Sequence, residues 1–222
     1  MPNRFIPITI FVLGLLLGLL LGGQALLQTT FESMQTAWQH WHTPSALTAT
    51  GSTFDATLLG PPDAPIHLVE YGDYACAYCA QWHFEVLPAL LAQYPTQIQY
   101  EYRPFPQPAL HPEAWQAAEA ALCAEKQDMF WDFHEGLFGN GYRLSEALYL
   151  ELAGMLGLDL NSFAQCLRSG DMTAQVQHSF EEGTALGLYA TPTFFLNGQR
   201  LIGSQDLATL QTIIDSLLET TP

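Results

Sequence analysis

Residues 66–79 read Ile66-His67-Leu68-Val69-Glu70-Tyr71-Gly72-Asp73-Tyr74-Ala75-Cys76-Ala77-Tyr78-Cys79. The first six are mostly apolar and β-prone, which predicts a short strand. Gly72, Asp73 and Tyr74 then turn the chain. From Cys76 to Tyr94 the apolar residues Cys79, Trp82, Val86, Leu87, Leu90 and Leu91 recur at helical spacing. Cys76 is thereby placed at a helix N-terminus, with Cys79 one turn further in. Two sulfurs at that spacing share a helix face and can close a disulfide. The free N–H groups and positive dipole of a helix end favour a thiolate at Cys76, the species that disulfide exchange uses.

Working outward, Pro88 falls inside the helix and predicts a kink. Gln97–Tyr102 alternates polar and apolar residues and reads as a second strand, and Arg103 to Pro108 reads as an extended loop. Strand, helix, strand implies a parallel pair with a right-handed crossover. Phe54 to Leu59 reads as a short leading strand, ended by the breaker Gly60-Pro61-Pro62-Asp63-Ala64-Pro65. From about 111 to 186 Ala, Leu, Gln and Glu dominate, and the spacing predicts helices over 113–125, 127–137, 145–155, 160–168 and 173–186. Strand character returns at Thr193–Leu196, Asn197-Gly198 signals a hairpin, and 199–202 is its partner. An amphipathic helix over 205–218 closes the pattern. The fold class is therefore α/β, with an all-helical block inserted into a small α/β unit.

Composition narrows the function. The chain has 222 residues and a net charge of −16, with only six Lys or Arg. Nucleic acid is excluded as a partner, because phosphate binding needs clustered positive charge. No charged residue lies between Arg4 and Glu32, and Ile8 to Leu21 is dominated by Ile, Leu, Val and Gly. With its flanks this run reaches the roughly 20 apolar residues that span a bilayer. Residues 1–28 are read as a membrane anchor. The alternative is a secretory signal peptide cut near Gly23-Gln24-Ala25. Arg4 marks the cytoplasmic side, so either reading puts the remaining domain outside the cytoplasm, where disulfides persist. Gly14, Gly18 and Gly22 suit close packing of two membrane helices, and also a membrane helix of ordinary glycine content. Phe31, Met34, Trp38 and Trp41 share one helical face within a juxtamembrane segment and tether, residues 29–52. The domain itself is placed at 53–222.

A CxxC pair taken alone is structural, zinc-binding or redox-active. Zinc needs about four ligands. His83 is one helical turn beyond Cys79, but Cys123 and Cys166 have no Cys or His neighbour at ligand spacing, so no metal is expected. His83 reads as a helix-surface residue or local hydrogen-bond partner.

Glu70 to Cys79 as a whole resembles the active-site segment of DsbA-type thiol–disulfide oxidoreductases of the thioredoxin superfamily. Ala190-Thr191-Pro192-Thr193-Phe194-Phe195-Leu196-Asn197-Gly198 resembles that family's cis-proline loop and following hairpin. The helical block resembles its inserted helical domain. The resemblance covers about residues 53–218. It implies a thioredoxin fold with a helical insertion, Cys76 as exposed nucleophile and Cys79 as buried resolving cysteine. It further implies a cis Pro192 facing that pair, and a Thr191 backbone presented to an extended substrate. Glu70 takes the place of the family's buried acid, whose raised pKa would let it exchange a proton with Cys79. Cys123 and Cys166 resemble the second cysteine pair of some members, a structural disulfide.

Two positions depart from the family pattern. Ala77 stands where a proline is frequent, and Tyr78, at the substrate-facing rim, where the strongest oxidants carry histidine. Asp73 is expected to oppose a thiolate at Cys76 by repulsion. The function implied is a membrane-anchored oxidoreductase that oxidises thiols of reduced exported proteins, with no cofactor beyond the Cys76–Cys79 disulfide. A quinone-coupled membrane protein is the redox partner that the resemblance implies. A reductase or isomerase using the same site, and a non-catalytic tethered peptide-binding module, are the rival readings.

Overall fold

A computed structural model describes residues 58–220. The expected anchor, the glycine repeat, the aromatic juxtamembrane face, the tether and most of the leading strand lie outside the described residues. Among those described, no helix is long and apolar enough to cross a membrane.

Among the described residues five strands form one sheet in the order β1-β3-β2-β4-β5. They are β1 (Leu58–Leu59), β2 (Ile66–Gly72), β3 (Ile98–Pro104), β4 (Thr193–Leu196) and β5 (Gln199–Ile202). β2 is central: it runs parallel to β3, with Leu68 beside Tyr100, and antiparallel to β4, with Glu70 beside Phe194. A strand covered on both faces is apolar at nearly every position, and all of β2 except His67 is buried.

Helices α1 (Ala77–Glu85) and α2 (Leu87–Gln93) form the crossover between β2 and β3. The expected kink at Pro88 is a break. α1 ends at Val86, and Pro88 opens the first turn of α2, where no N–H is needed. The insertion comprises α3 (Ala114–Glu125), α4 (Phe130–Gly139), α5 (Glu146–Met155), α6 (Leu160–Ser169) and α7 (Thr173–Ala185), and α8 (Leu207–Thr220) follows β5.

Two expected boundaries are corrected. β3 runs on through Arg103 and Pro104, which were read as loop. Pro104 pairs with Gly72, and the next residue, Phe105, donates its N–H to the Gly72 carbonyl at 2.7 Å, so the missing proline donor costs the ladder nothing. α4 starts at Phe130 rather than Gln127, because Asp128 is left-handed, with φ 60°, and the N–H groups of Gln127, Asp128 and Met129 turn back onto carbonyls of Ala124 and Glu125.

Alternation along the strands sorts the two faces of the sheet. Leu68, Glu70, Tyr100, Tyr102 and Phe194 face α1 and α4, and Trp82 packs on Tyr100 and Phe194 with ring centroids 6.0 and 4.5 Å away. Val69, Tyr71 and Phe105 face the other way, against Phe180 of α7, Leu188 and Phe195. Arg103 fastens that side, reaching Glu101 and Glu182 at 2.6 Å each. Within the insertion Cys123 of α3 and Cys166 of α6 are joined by a disulfide.

Candidate active site

The C-terminal end of β2 delivers the chain to a tight turn, and Asp73 holds that turn. Its carboxylate accepts from the N–H groups of Ala75 at 2.7 Å and Gln107 at 2.8 Å, and meets His111 Nδ1 at 3.0 Å. Its carbonyl accepts from the Cys76 N–H at 3.0 Å. Cys76 is the N-cap of α1, with φ −79° and ψ 115°. The expected repulsion by Asp73 is not among the largest influences on Cys76. The carboxylate is turned into the loop that follows β3, where it pins two segments together.

The cysteines face the loop before β4. The Thr191–Pro192 bond is cis, and Cys76 Sγ donates to the Thr191 carbonyl at 3.4 Å, across 115 residues of sequence. This covering corrects the expectation of an exposed nucleophile: Cys76 is only 7% exposed and Cys79 0%. Both are free thiols. Tyr78 is at the rim, 65% exposed, and Pro192 is buried behind Thr191.

The two sulfurs differ electrostatically. The Cys79 side chain, by hydrogen-bonding to Cys76, is the largest influence drawing the Cys76 thiol down to about 6; the Thr191 side chain and the backbone N–H groups of Cys79 and Tyr78 add to this, against the cost of burial. Those N–H donors are the free amides of a helix start. Cys79 is pushed well above the ordinary thiol range by burial, by the bond it makes to Cys76 and by the charge of Glu70. The surroundings thus favour the thiolate at Cys76 and the protonated thiol at Cys79.

Glu70 is fully buried, and burial raises its carboxyl to about 8, against the lowering effect of Tyr100. The Tyr100 hydroxyl donates to Oε2 at 2.6 Å, and Oε1 has no partner. The reading of His83 as a surface residue is corrected. It is half-buried, packed on His134 and Phe138 at centroid distances of 4.8 and 5.1 Å, and burial lowers it to about 4. Sequence reasoning missed His134 and the tyrosines Tyr74, Tyr100 and Tyr102 at the site. The β3 alternation could have placed Tyr100 and Tyr102 on the Glu70 face; nothing marked His134.

A helix-capping CxxC, a buried carboxyl behind its second sulfur and a cis-proline peptide over its first together define a thiol–disulfide exchange site on a thioredoxin fold. A family model described as thioredoxin matches residues 52–216, and the chain belongs to this family, in its DsbA-like branch. The structure resembles alpha-DsbA1 of Wolbachia pipientis, 26% identical, with a TM-score of 0.66 over 73% of this chain and 90% of that one. It shares its fold with BdbD of Bacillus subtilis in the oxidised form, 23% identical, with a TM-score of 0.67 over 73% of this chain and 92% of that one. In sequence the chain is 36% identical over 157 residues to the Na(+)/H(+) antiporter NhaA 1 of Salinispora arenicola, covering 71% of this chain. The chain spans about a quarter of the length of the curated relatives it matches, 24% in that case. Its fold and its cysteine pair are those of the DsbA-like branch.

Proposed function

We propose that the chain oxidises thiols of exported proteins while anchored to a membrane by residues 1–28. The observation that carries the direction is the Cys76 thiol at about 6, facing a Cys79 pushed the other way. A stabilised thiolate favours the reduced enzyme and so makes its disulfide the stronger oxidant. At pH 7 a fall from 9.0 to about 6 favours reduction by ~1.4 kcal/mol, or ~30 mV for a two-electron couple.

In the forward reaction a substrate thiolate attacks Cys76 Sγ of the Cys76–Cys79 disulfide. Cys79 leaves as a thiolate and takes a proton from Glu70. A second substrate thiolate attacks the substrate sulfur of the mixed disulfide, and Cys76 leaves as a stable thiolate. Two electrons have passed to the enzyme, and a quinone-coupled membrane protein removes them. The backbone of Thr191 aligns the extended substrate beside Cys76, and Tyr78 lines its path. The uncharged run Ile8–Leu21 supports the anchor. Matching to part of an ion antiporter is consistent with work at a membrane.

The reductive direction is a second reading, favoured by one comparison: about 6 for Cys76 is closer to thioredoxin, near 7, than to the strongest oxidants, about 3.5. Equilibration with glutathione separates the two. A potential well above about −270 mV, with oxidation of a dithiol peptide by the disulfide form, is the expected result. A potential at or below that value, with efficient insulin reduction, overturns the oxidase. A Cys76→Ser variant that keeps its cellular function would instead identify a binding module.

A further inference from the structure

The turn that carries Cys76 is strapped to the loop that follows β3, and the straps converge on one side chain. The Gly72 carbonyl accepts from the Phe105 N–H at 2.7 Å. One residue on, the Asp73 carboxylate accepts from the Ala75 N–H at 2.7 Å through one oxygen. Its other oxygen accepts from the Gln107 N–H at 2.8 Å and meets His111 Nδ1 at 3.0 Å. The Asp73 side chain is wholly buried, whereas His111 is partly exposed, at 29%. The His111 carbonyl in turn accepts the N–H of Ala114, the first residue of α3. Sheet, reactive turn and helical insertion therefore meet at this carboxylate.

A buried carboxylate is costly unless its acceptors are filled. No Lys or Arg is among these donors. Three donors on two oxygens is a load that a carboxylate carries and other short side chains do not. Asn would turn an amide group at one of the donors, and Ser offers a single oxygen. What Asp73 grips is the backbone beside the nucleophile. Its carboxylate bonds the Ala75 N–H, and its carbonyl bonds the Cys76 N–H at 3.0 Å. These two bonds fix the approach of the chain to the cap of α1. They thereby set Cys76 Sγ against the first amides of that helix and 3.4 Å from the Thr191 carbonyl. The amides of Tyr78 and Cys79 act on the Cys76 thiol. Help of this kind falls off within one turn, so a small displacement of the cap is felt.

We propose that Asp73, locked from the loop side by His111, is a positioning residue for disulfide exchange at Cys76, holding the nucleophile in register with the helix N-terminus and the Thr191 loop. The assignment rests on Cys76 being the exchanging thiol proposed above, in either direction of electron flow. Asp73 acts through the backbone and takes no part in proton or electron transfer. Charge and position predict opposite signs at Cys76. A carboxylate acting by its charge opposes the thiolate, so removing it lowers the Cys76 midpoint. A carboxylate acting by its grip keeps the cap in place, so removing it raises the midpoint.

The test follows iodoacetamide alkylation of Cys76 against pH in the full-length reduced protein, with the modified site read by mass spectrometry. The variants are Asp73→Asn, Asp73→Ala, His111→Ala and His111→Asn. Both Asp73 variants are expected to move the midpoint from about 6 to about 7. The equilibrium with glutathione then shifts about fivefold toward the disulfide form at pH 7. His111→Ala is expected to move both readings in the same direction. His111→Asn, whose amide nitrogen can stand in for Nδ1, is expected to behave as wild type. A midpoint that falls in Asp73→Asn overturns the proposal in favour of a charge effect. A midpoint that stays at about 6, whatever happens to Tm, overturns it in favour of a merely structural role. Should both Asp73 variants fail to fold, the His111 pair decides: a wild-type midpoint in His111→Ala, or no recovery in His111→Asn, refutes the latch. Failure of the exchange reading shows separately, as wild-type protein that neither oxidises a dithiol peptide nor reduces insulin, and it takes the positioning role with it.

Discussion

Removing the Cys79 sulfur should raise the Cys76 thiol, and the size of the rise follows from the site. The Cys79 hydrogen bond is the largest of the influences that bring Cys76 from 9.0 down to about 6. A hydrogen bond to a charged group is worth about 1.5–3 kcal/mol, and ~1.4 kcal/mol corresponds to one pH unit. Cys79→Ala is therefore expected to move the Cys76 midpoint to about 7–8. In that variant Cys76 is the one titrating thiol, since the chain has four cysteines and Cys123 and Cys166 are joined. The rate of iodoacetamide alkylation against pH reads the midpoint directly. The sign is fixed by linkage. A thiol depressed in the fold stabilises the reduced protein in full at high pH, and this is lost as pH falls through about 6. A wild-type midpoint near 9, or a Cys79→Ala midpoint still at about 6, would refute the reasoning.

Three further outcomes follow from the packing and charge. Glu70 binds its proton more tightly in the fold, at about 8 against 4.5, so stability falls as pH rises between those values; Glu70→Gln is expected to flatten that slope and to stabilise by up to about 3 kcal/mol at pH 7 in urea melts. Breaking the Cys123–Cys166 disulfide, which spans a separation of 43 residues, is expected to cost about 4 kcal/mol in chain-entropy terms, read by urea unfolding of the double serine variant. In Gly183→Ala the new carbon would lie 2.7 Å from the Phe105 ring, so α7 must shift from the sheet, with a loss of about 1–3 kcal/mol visible as a lower Tm.

Much of the fold was legible because local signals agree with the tertiary structure. β2 is apolar because it is central, Asn197-Gly198 turns because Asn197 is left-handed with φ 46°, and the inserted helices carry their own periodicity. The misreadings have physical causes. Pro104 looks like a loop residue until a parallel neighbour is known to take its bond from Phe105 instead. Asp128 gives no sign in sequence that it turns left-handed and delays α4. At the site, Cys76 and Cys79 were readable as a helix cap. The cover over Cys76 was not, since it depends on how closely Thr191 approaches. His134 was invisible because its partner Tyr74 is 60 residues away and the pairing exists only in three dimensions.

The order in which the strands enter the sheet bears on biosynthesis. β2 is flanked on one side by β3, its near neighbour in sequence, and on the other by β4, which follows the whole helical insertion. A chain emerging N-terminus first exposes an unpaired, sticky edge on β2 for as long as the insertion takes to appear, the kind of edge that invites misassociation. The catalytic sulfurs spend that same interval without the Thr191 carbonyl that will cover one of them. A nascent copy is thus both a client in need of protection and an unfinished tool, and a chaperone that guards that bare strand would guard its reactive thiols as well.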